Sequence, residues 1–459
     1  MHVRCSVAFI VLFPFTAGAQ NQPDIREILN RLEKVEQQNR ELMDEVKLLR
    51  AKLEGTPTPA PASITAPVEA AAAEPDLSAA PITERVAVLE RKVEEHEDTK
   101  VGAEHRMPVT LTGTVLFNAF LNGRYSGGNQ YPTAAALASA PASDGASMRQ
   151  TIIGLRYQGP EILGGGKVNG TLYMDLFGGT GTVLNQMLRL RIAAIGVDWK
   201  DTSISFGQDK PIVAPREPES LAQMGVSPLT GAGNLWLWLP QVKLEHRFHF
   251  GEQAGLRAQV GIFQTNENST GISTEYRDTQ ATARPGWEGR FELWKQFSKE
   301  RRIEIAPGFH ASDTHVLGQT APSRIFTMDW LIRPTRQFDF SGAFFTGENV
   351  GPLGALRQGV TVFGDHTVRS IGSSGGWGQL SWRATPRLTF NIYAGQEDDR
   401  NRDLVAGNIS KNFVYAGNFI YRLGTNILAS FEASQSRTIY VGSGLRLNPH
   451  YDIALAYLF

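Results

Sequence analysis

The chain has 459 residues, 41% of them hydrophobic and 20% charged, with a formal net charge of −1 at pH 7. That length leaves room for a large buried core. The only cysteine is Cys5, in the first residues, which excludes disulfide and thiol chemistry from the body of the chain. After the first residues no stretch approaches the run of about 18 apolar residues that a membrane helix needs, and nucleic acid is not among the expected partners.

The near-neutral total conceals a division close to Arg106. The residues before it carry 12 Lys+Arg against 18 Asp+Glu, and those from Arg106 onward carry 33 against 28. Of those 33 cations, 26 are arginine, the side chain whose planar fork grips carboxylate or phosphate.

In chain order, "MHVRCSVAFIVLFPFTAGAQ" has a basic start at Arg4, a short apolar run and small residues at Ala17 and Ala19. It reads as a secretory signal peptide over residues 1–19. Residues 25–54 contain neither Gly nor Pro, and Ile25, Leu32, Asn39, Val46 and Leu53 share one heptad position while Ile28, Val35, Leu42 and Leu49 share the other. That pattern predicts a periplasmic α-helical coiled coil in which Asn39, the polar intruder, sets the register. The Pro/Ala-rich stretch 55–81 reads as a tether that cannot bury a core, and residues 82–100 as a second, shorter helical segment.

From residue 108 to 459 the period changes to two. In "VTLTGTVLFNAFLNG" the residues Val109, Leu111, Val115, Phe117 and Leu121 are apolar and alternate with Thr110, Thr112, Thr114 and Asn118. "QVKLEHRFHF" sets Val242, Leu244 and Phe248 against Lys243, Glu245 and Arg247. One face stays apolar through segment after segment with no helix to cover it, a conflict that a soluble sheet does not resolve. A closed barrel in lipid resolves it, because hydrocarbon takes the outer face and water the inner one.

Strands are expected to begin near residues 109, 148, 167, 188, 202, 237, 256, 286, 302, 323, 335, 370, 387, 411, 426 and 449. The expected fold is therefore an all-β transmembrane barrel of about 16 antiparallel strands. Short connectors such as "RPTR", "RATPR" and "LGTN" alternate with long ones at 123–147, 208–234, 265–285 and 346–369. The chain ends on "PHYDIALAYLF", where Tyr451, Ile453, Leu455, Tyr457 and Phe459 form one apolar row. This row resembles the C-terminal signal, here Tyr457 and Phe459, by which bacterial outer-membrane proteins are handed to the barrel-assembly machinery.

Signal peptide, heptad helix, tether and a barrel ending "ALAYLF" together resemble the trimeric outer-membrane porins with an N-terminal coiled coil, the DcaP-like family. Phosphate-selective porins of the O/P type share the plan, but those line their channels with lysine, whereas arginine dominates here. The resemblance implies passive uptake of small hydrophilic, often anionic solutes such as dicarboxylates by a homotrimer embedded in outer-membrane lipid. The rival reading is a structural barrel that links the outer membrane to the cell wall through the coiled coil.

If the apolar parity faces lipid, Arg156, Arg189, Arg191, Lys243, Arg247, Arg257 and Arg290 line the lumen, interspersed with Asp175, Glu245, Glu288 and Glu292. Either these cations favour anions in the channel or each pairs with a neighbouring carboxylate and stiffens the wall. The connector Gly207–Asn234 holds the place of the inward-folding third loop of sixteen-strand porins. Lys210, Arg216, Glu217 and Glu219 are its candidate constriction charges. Enzymatic motifs are wanting and nothing calls for a cofactor or a metal: His246 and His249 have opposite parity, and His310 and His315 flank Asp313 in an expected loop.

Overall fold

The computed structural model describes residues 108–459 apart from 180–185, 266–275, 277–280, 283, 284 and 357. The expected signal peptide (1–19), coiled coil with Asn39 (25–54), tether (55–81) and second helical segment (82–100) lie outside the described residues.

Every period-two segment becomes a strand. Among the described residues sixteen of them build the wall: Val109–Asn122, Ile152–Ile162, Gly166–Gly178, Met187–Asp198, Thr202–Asp209, Leu239–His249, Ala254–Phe263, Gly286–Gln296, Arg302–Val316, Gln319–Arg333, Phe338–Glu348, Gly372–Arg383, Leu388–Asp399, Ile409–Arg422, Ile427–Tyr440 and Gly444–Leu458. Neighbours in the chain pair antiparallel. The first strand pairs with the last from Thr114↔Leu458 to Asn122↔His450, and with the second from Val109↔Tyr157 to Thr114↔Ile152. The short segment Ser143–Ser147 extends that second pairing. The sheet is thereby closed and keeps no free edge, the arrangement a bilayer demands of strands.

Burial is inverted relative to a water-soluble protein. Ile453 and Tyr457 are 60% and 50% exposed, whereas Asp452 and Ala456, on the other parity of the same strand, are 1% and 0%. The same contrast sets outward Phe326, Phe344 and Ile392 against buried Asp329, Asn391 and Glu397. Apolar side chains outside and polar ones inside mark a wall between hydrocarbon and a polar interior.

Two details differ from the sequence reading. The final strand starts at Gly444 rather than near Pro449, because Gly442 and Gly444 take positive φ and make a tight turn that lets pairing begin at Tyr440↔Gly444. His310, Asp313 and His315 lie in a strand, not a loop: Arg302–Val316 runs on to a two-residue hairpin in which Leu317 and Gly318 have φ of 52° and 73°. Trp377 points inward and packs with Leu229 and Tyr393.

The interior is not empty. The connector 210–238 leaves the wall and runs inside the barrel, and three apolar clusters form where it meets the strands. Leu221 packs on Leu116, Ala454 and Ala456; Leu229 and Ala232 on Trp377, Tyr393 and Ala416; Val213, Leu235 and Leu237 with Phe263, Ile325, Phe345 and Leu353. Two glycines permit this path. Gly207 has a φ of 135°, and a Cβ there would lie 2.0 Å from the Ala193 carbonyl oxygen; Gly233 has a φ of 93°, and a Cβ would lie 2.3 Å from the Gly376 carbonyl oxygen. Both neighbours are backbone and cannot swing away.

Gly207→Ala is therefore expected to break the pairing of Met187–Asp198 with Thr202–Asp209 and lower the fraction of chain that migrates as folded barrel on unheated electrophoresis. Gly424→Ala, in a turn with open space around the site, should leave that fraction unchanged; equal behaviour of the two variants would refute the steric argument.

Candidate pore lining and constriction

The inward parity converges on one ionic cluster. Arg290 is fully buried; it donates to Asp329 at 2.6 and 2.8 Å, to Glu292 at 2.7 Å and to Gln259 at 3.0 Å. Arg257 reaches Glu292 at 2.8 Å, and Arg302 bonds Glu304. Arg216, from the inward connector, joins the same carboxylates: its Nε donates to Asp329 at 2.7 Å, its Nη2 bonds Glu304, and Glu292 lies 3.5 Å away. Four guanidiniums thus hold three carboxylates, and one of the four ties the connector to the wall. Buried ion pairs are tolerated when their members are well hydrogen-bonded, and Arg290 at the centre of this network meets that condition, while Arg257 and Arg302 at its edge are partly exposed.

Along the rest of the lumen the pairs are layered. Asp339 is gripped by Arg333 at 2.6 Å and by Arg383; the arginines are 35% and 37% exposed, the carboxylate 10%. Arg247 stands over Glu245 at 2.8 Å with 52% against 10%, and Arg302 over Glu304 with 39% against 7%. The carboxylate lies at the base and the cation is the more exposed partner, so Arg247, one of the arginines expected to line the lumen, is paired as the wall-stiffening alternative has it. Pairing fixes the guanidinium, and its exposed face still carries positive potential.

The remaining candidates fall into place around this. Arg156 donates to the Tyr173 hydroxyl at 2.7 Å. Lys243 pairs with Asp209 at 3.2 Å. A register break between Tyr173 and Met174 brings both Arg189 and Arg191 to the fully buried Asp175, at 2.6 and 3.0 Å. These two also cap the connector, Arg191 donating to the Met224 carbonyl at 2.7 Å and Arg189 to that of Gly225. The Trp238 ring lies beneath both, at 5.1 and 4.6 Å.

Within the connector, Lys210 meets Glu217 at 2.7 Å, and Ser227 donates to the same carboxylate at 2.7 Å. Burial opposes the charge on Glu217, but the Lys210 ammonium and these hydrogen bonds hold its carboxyl below the ordinary value. Glu219 is placed by its backbone, its N–H donating to Gln379 at 2.7 Å and its carbonyl accepting from Asn418 at 2.9 Å. At the barrel seam, the Phe459 carbonyl accepts from the Gly113 N–H at 2.9 Å, and Tyr457 points outward opposite Val115.

Sequence reasoning missed several members. Gln150, fully buried, is a neutral latch: its amide donates to the Ala222 carbonyl at 2.8 Å and to Asn118 at 3.0 Å, and accepts from the Met224 and Gly225 N–H groups at 2.8 and 2.7 Å. It precedes a strand, where no periodicity marks it. Arg333 and Arg383 lie at strand ends within "RPTR" and "RATPR", which read as plain turns; counting parity from Asp329 would have pointed Arg333 inward. Arg149 is 4% exposed, stacks 4.5 Å from the Phe177 ring, and lines a cavity of about 410 Å³ with Arg189, Gln130 and Trp236.

No protein-family model matches the chain, and no curated protein does. Solved structures do match. The outer membrane channel DcaP of Acinetobacter baumannii superposes with a TM-score of 0.62 at 15% identity, covering 76% of this chain and 97% of that one. The fold is that of the DcaP channel. An anion-selective porin from Comamonas acidovorans matches with a TM-score of 0.53 at 12% identity, over 76% of this chain and 99% of that one. At such identities the likeness to DcaP is one of fold, and it covers the architecture that the strand pattern predicts.

Removing the central cation tests the network of this DcaP-like barrel. Arg290→Ala leaves Asp329 and Glu292 buried without their principal counter-charge and should cost about 3–5 kcal/mol, read as a lower urea midpoint of the micelle-bound barrel. An unchanged midpoint would mean that Arg216 and Arg257 suffice to hold these carboxylates.

Proposed function

We propose that the chain forms a water-filled outer-membrane porin through which small hydrophilic solutes diffuse passively, with anions of the size of dicarboxylates favoured. The observation that carries this reading is the layering of the lumen wall, in which arginines face the water above buried carboxylates. The selectivity of the Comamonas porin on the same fold supports it, as does the excess of cations after Arg106. No fuel, cofactor or catalytic step enters: size and wall charge do the sorting. The connector 210–238 acts as the constriction, with Arg216 as its electrostatic anchor.

A second reading, a structural anchor joining the outer membrane to the cell wall, draws support from how firmly that connector is tied to strands on several sides of the barrel. Planar-bilayer recording separates the two: a plugged anchor passes no ion steps. For the porin, the reversal potential in a KCl gradient should show preference for chloride. An ion about 6 Å from a guanidinium in water feels about 0.7 kcal/mol, so Arg333→Ala with Arg383→Ala should cut the chloride preference by roughly threefold or more. Arg216→Ala should also shift the reversal potential; constancy in both variants would remove these residues from the permeation path.

The heptads of residues 25–54 and the DcaP-like plan support a homotrimer. Deleting residues 25–54 should weaken the assembly seen by chemical crosslinking. Intact protein that crosslinks only as monomer would end that part of the proposal.

A further inference from the structure

We propose that the outward rim of the barrel sector from Gln319 to Arg422, at the end carrying the long loops, is a docking surface for the phosphorylated headgroup of an outer-leaflet glycolipid. The inference rests on the outer-membrane reading above. On this rim Arg369, Arg400 and Arg402 share one carboxylate, Asp403, at 3.5, 3.7 and 3.8 Å; the guanidiniums are 50%, 54% and 73% exposed and the carboxylate 4%. Arg324, 46% exposed, stands 2.9 Å over Asp313, which is 5% exposed. Lys411 adds a fifth cation, paired with Asp398 at 2.8 Å. Among the described residues the acidic groups left at least partly exposed beside these five are Asp398, Glu348 and, in the turn of the hairpin that carries Arg369, Asp365.

The direction is set by register. Arg324 shares its parity with Phe326, Glu348 with Phe344 and Asp398 with Ile392, all exposed apolar residues of the outer face. A cleft of about 440 Å³ lies among Arg324, Thr346, Glu348, Ser374, Asp398 and Arg400. It opens on the lipid side of the wall, away from the solute path. The equivalent ends of Val109–Asn122 and Gly444–Leu458 keep Leu121, Leu445 and Leu447 on the outer face, with Arg124, Arg437 and Arg446 the cations left at least partly exposed near them, so the cations of the Gln319–Arg422 sector are distinguished by their clustering on a shared carboxylate.

Guanidinium forks match phosphate oxygens bidentately. A soluble anion would use only the upper, charged part of this surface. A glycolipid uses both parts, with its phosphates on the arginines and its acyl chains along Phe326 and Phe344 directly below. The geometry thus favours a phosphate held in the membrane plane over one arriving from solution.

The test uses the full-length protein in phosphatidylcholine vesicles containing either diphosphorylated lipid A or its dephosphorylated form, with retained glycolipid counted per chain by native mass spectrometry. Wild type should retain the phosphorylated form, and Arg324→Gln/Arg400→Gln/Arg402→Gln should lose about tenfold or more of it. Conductance should not change, because the three residues lie outside the lumen. Equal retention of the dephosphorylated lipid, or retention untouched by the triple substitution, overturns the proposal. Displacement by millimolar inorganic phosphate alone would assign the rim to a soluble anion, and loss of lipid together with dissociation of the oligomer would assign it to a contact between copies; either overturns it too. Wild-type protein that retains lipid but passes no ion steps would refute the porin reading and leave this one standing.

Discussion

A backbone N–H facing hydrocarbon has no solvent to bond, and leaving it unpaired costs several kcal/mol. That penalty governs this molecule. It requires the first strand to find the last, as the hydrogen bonds between Gly113 and Phe459 do, and closure turns a sheet into a container. Once the sheet is closed, strand alternation assigns each side chain to lipid or to lumen without further choice. The apolar rows therefore need no partner within the chain. The polar rows, covered in part by the interior connector, pair in large part with one another and with it.

The lumen chemistry follows from that pairing. Carboxylates such as Asp329, Glu292 and Asp339 sit against the wall and would be intolerable alone, so arginines stand over them. Arginine suits this task because one fork can bond a buried carboxylate while its other face remains in water. The interior connector is then held by two unlike means. Arg216 binds it through charge to the strands from Gly286 to Arg333, and Gln150 with Asn118 binds it through neutral amides near the seam. Salt weakens the first kind of contact and hardly touches the second, so the connector is secured against changes in ionic strength at one end and set by electrostatics at the other.

Much of this was legible as periodicity. The starts at Val109, Thr202, Gly286 and Arg302 coincide with the strands found, because a half-buried strand must alternate and turn residues bracket it. Inward placement of Arg290, Arg257 and Lys243 follows from the same alternation. What periodicity could not supply was the register break at Tyr173, which places Arg189 and Arg191 together on Asp175, or the identity of the groups that receive Arg216. Asp329 and Glu304 lie about a hundred residues away in sequence, and no spacing rule links them to a loop. Gln150 and Arg149 were invisible for a related reason: they lie between strands, where local pattern carries no information about what a folded-in segment will bring to them.

By itself the sequence determined that this chain alternates, about how many segments do so, and which parity is apolar, since those properties depend only on the order of residues and the two-residue repeat of an extended backbone; the count of sixteen was fixed by the pairing of the strands. Which carboxylate each arginine holds, where the connector crosses the interior, and which rim is cationic were decided only by the tertiary structure. Those depend on closure of the sheet, and closure brings together residues that have no fixed separation along the chain.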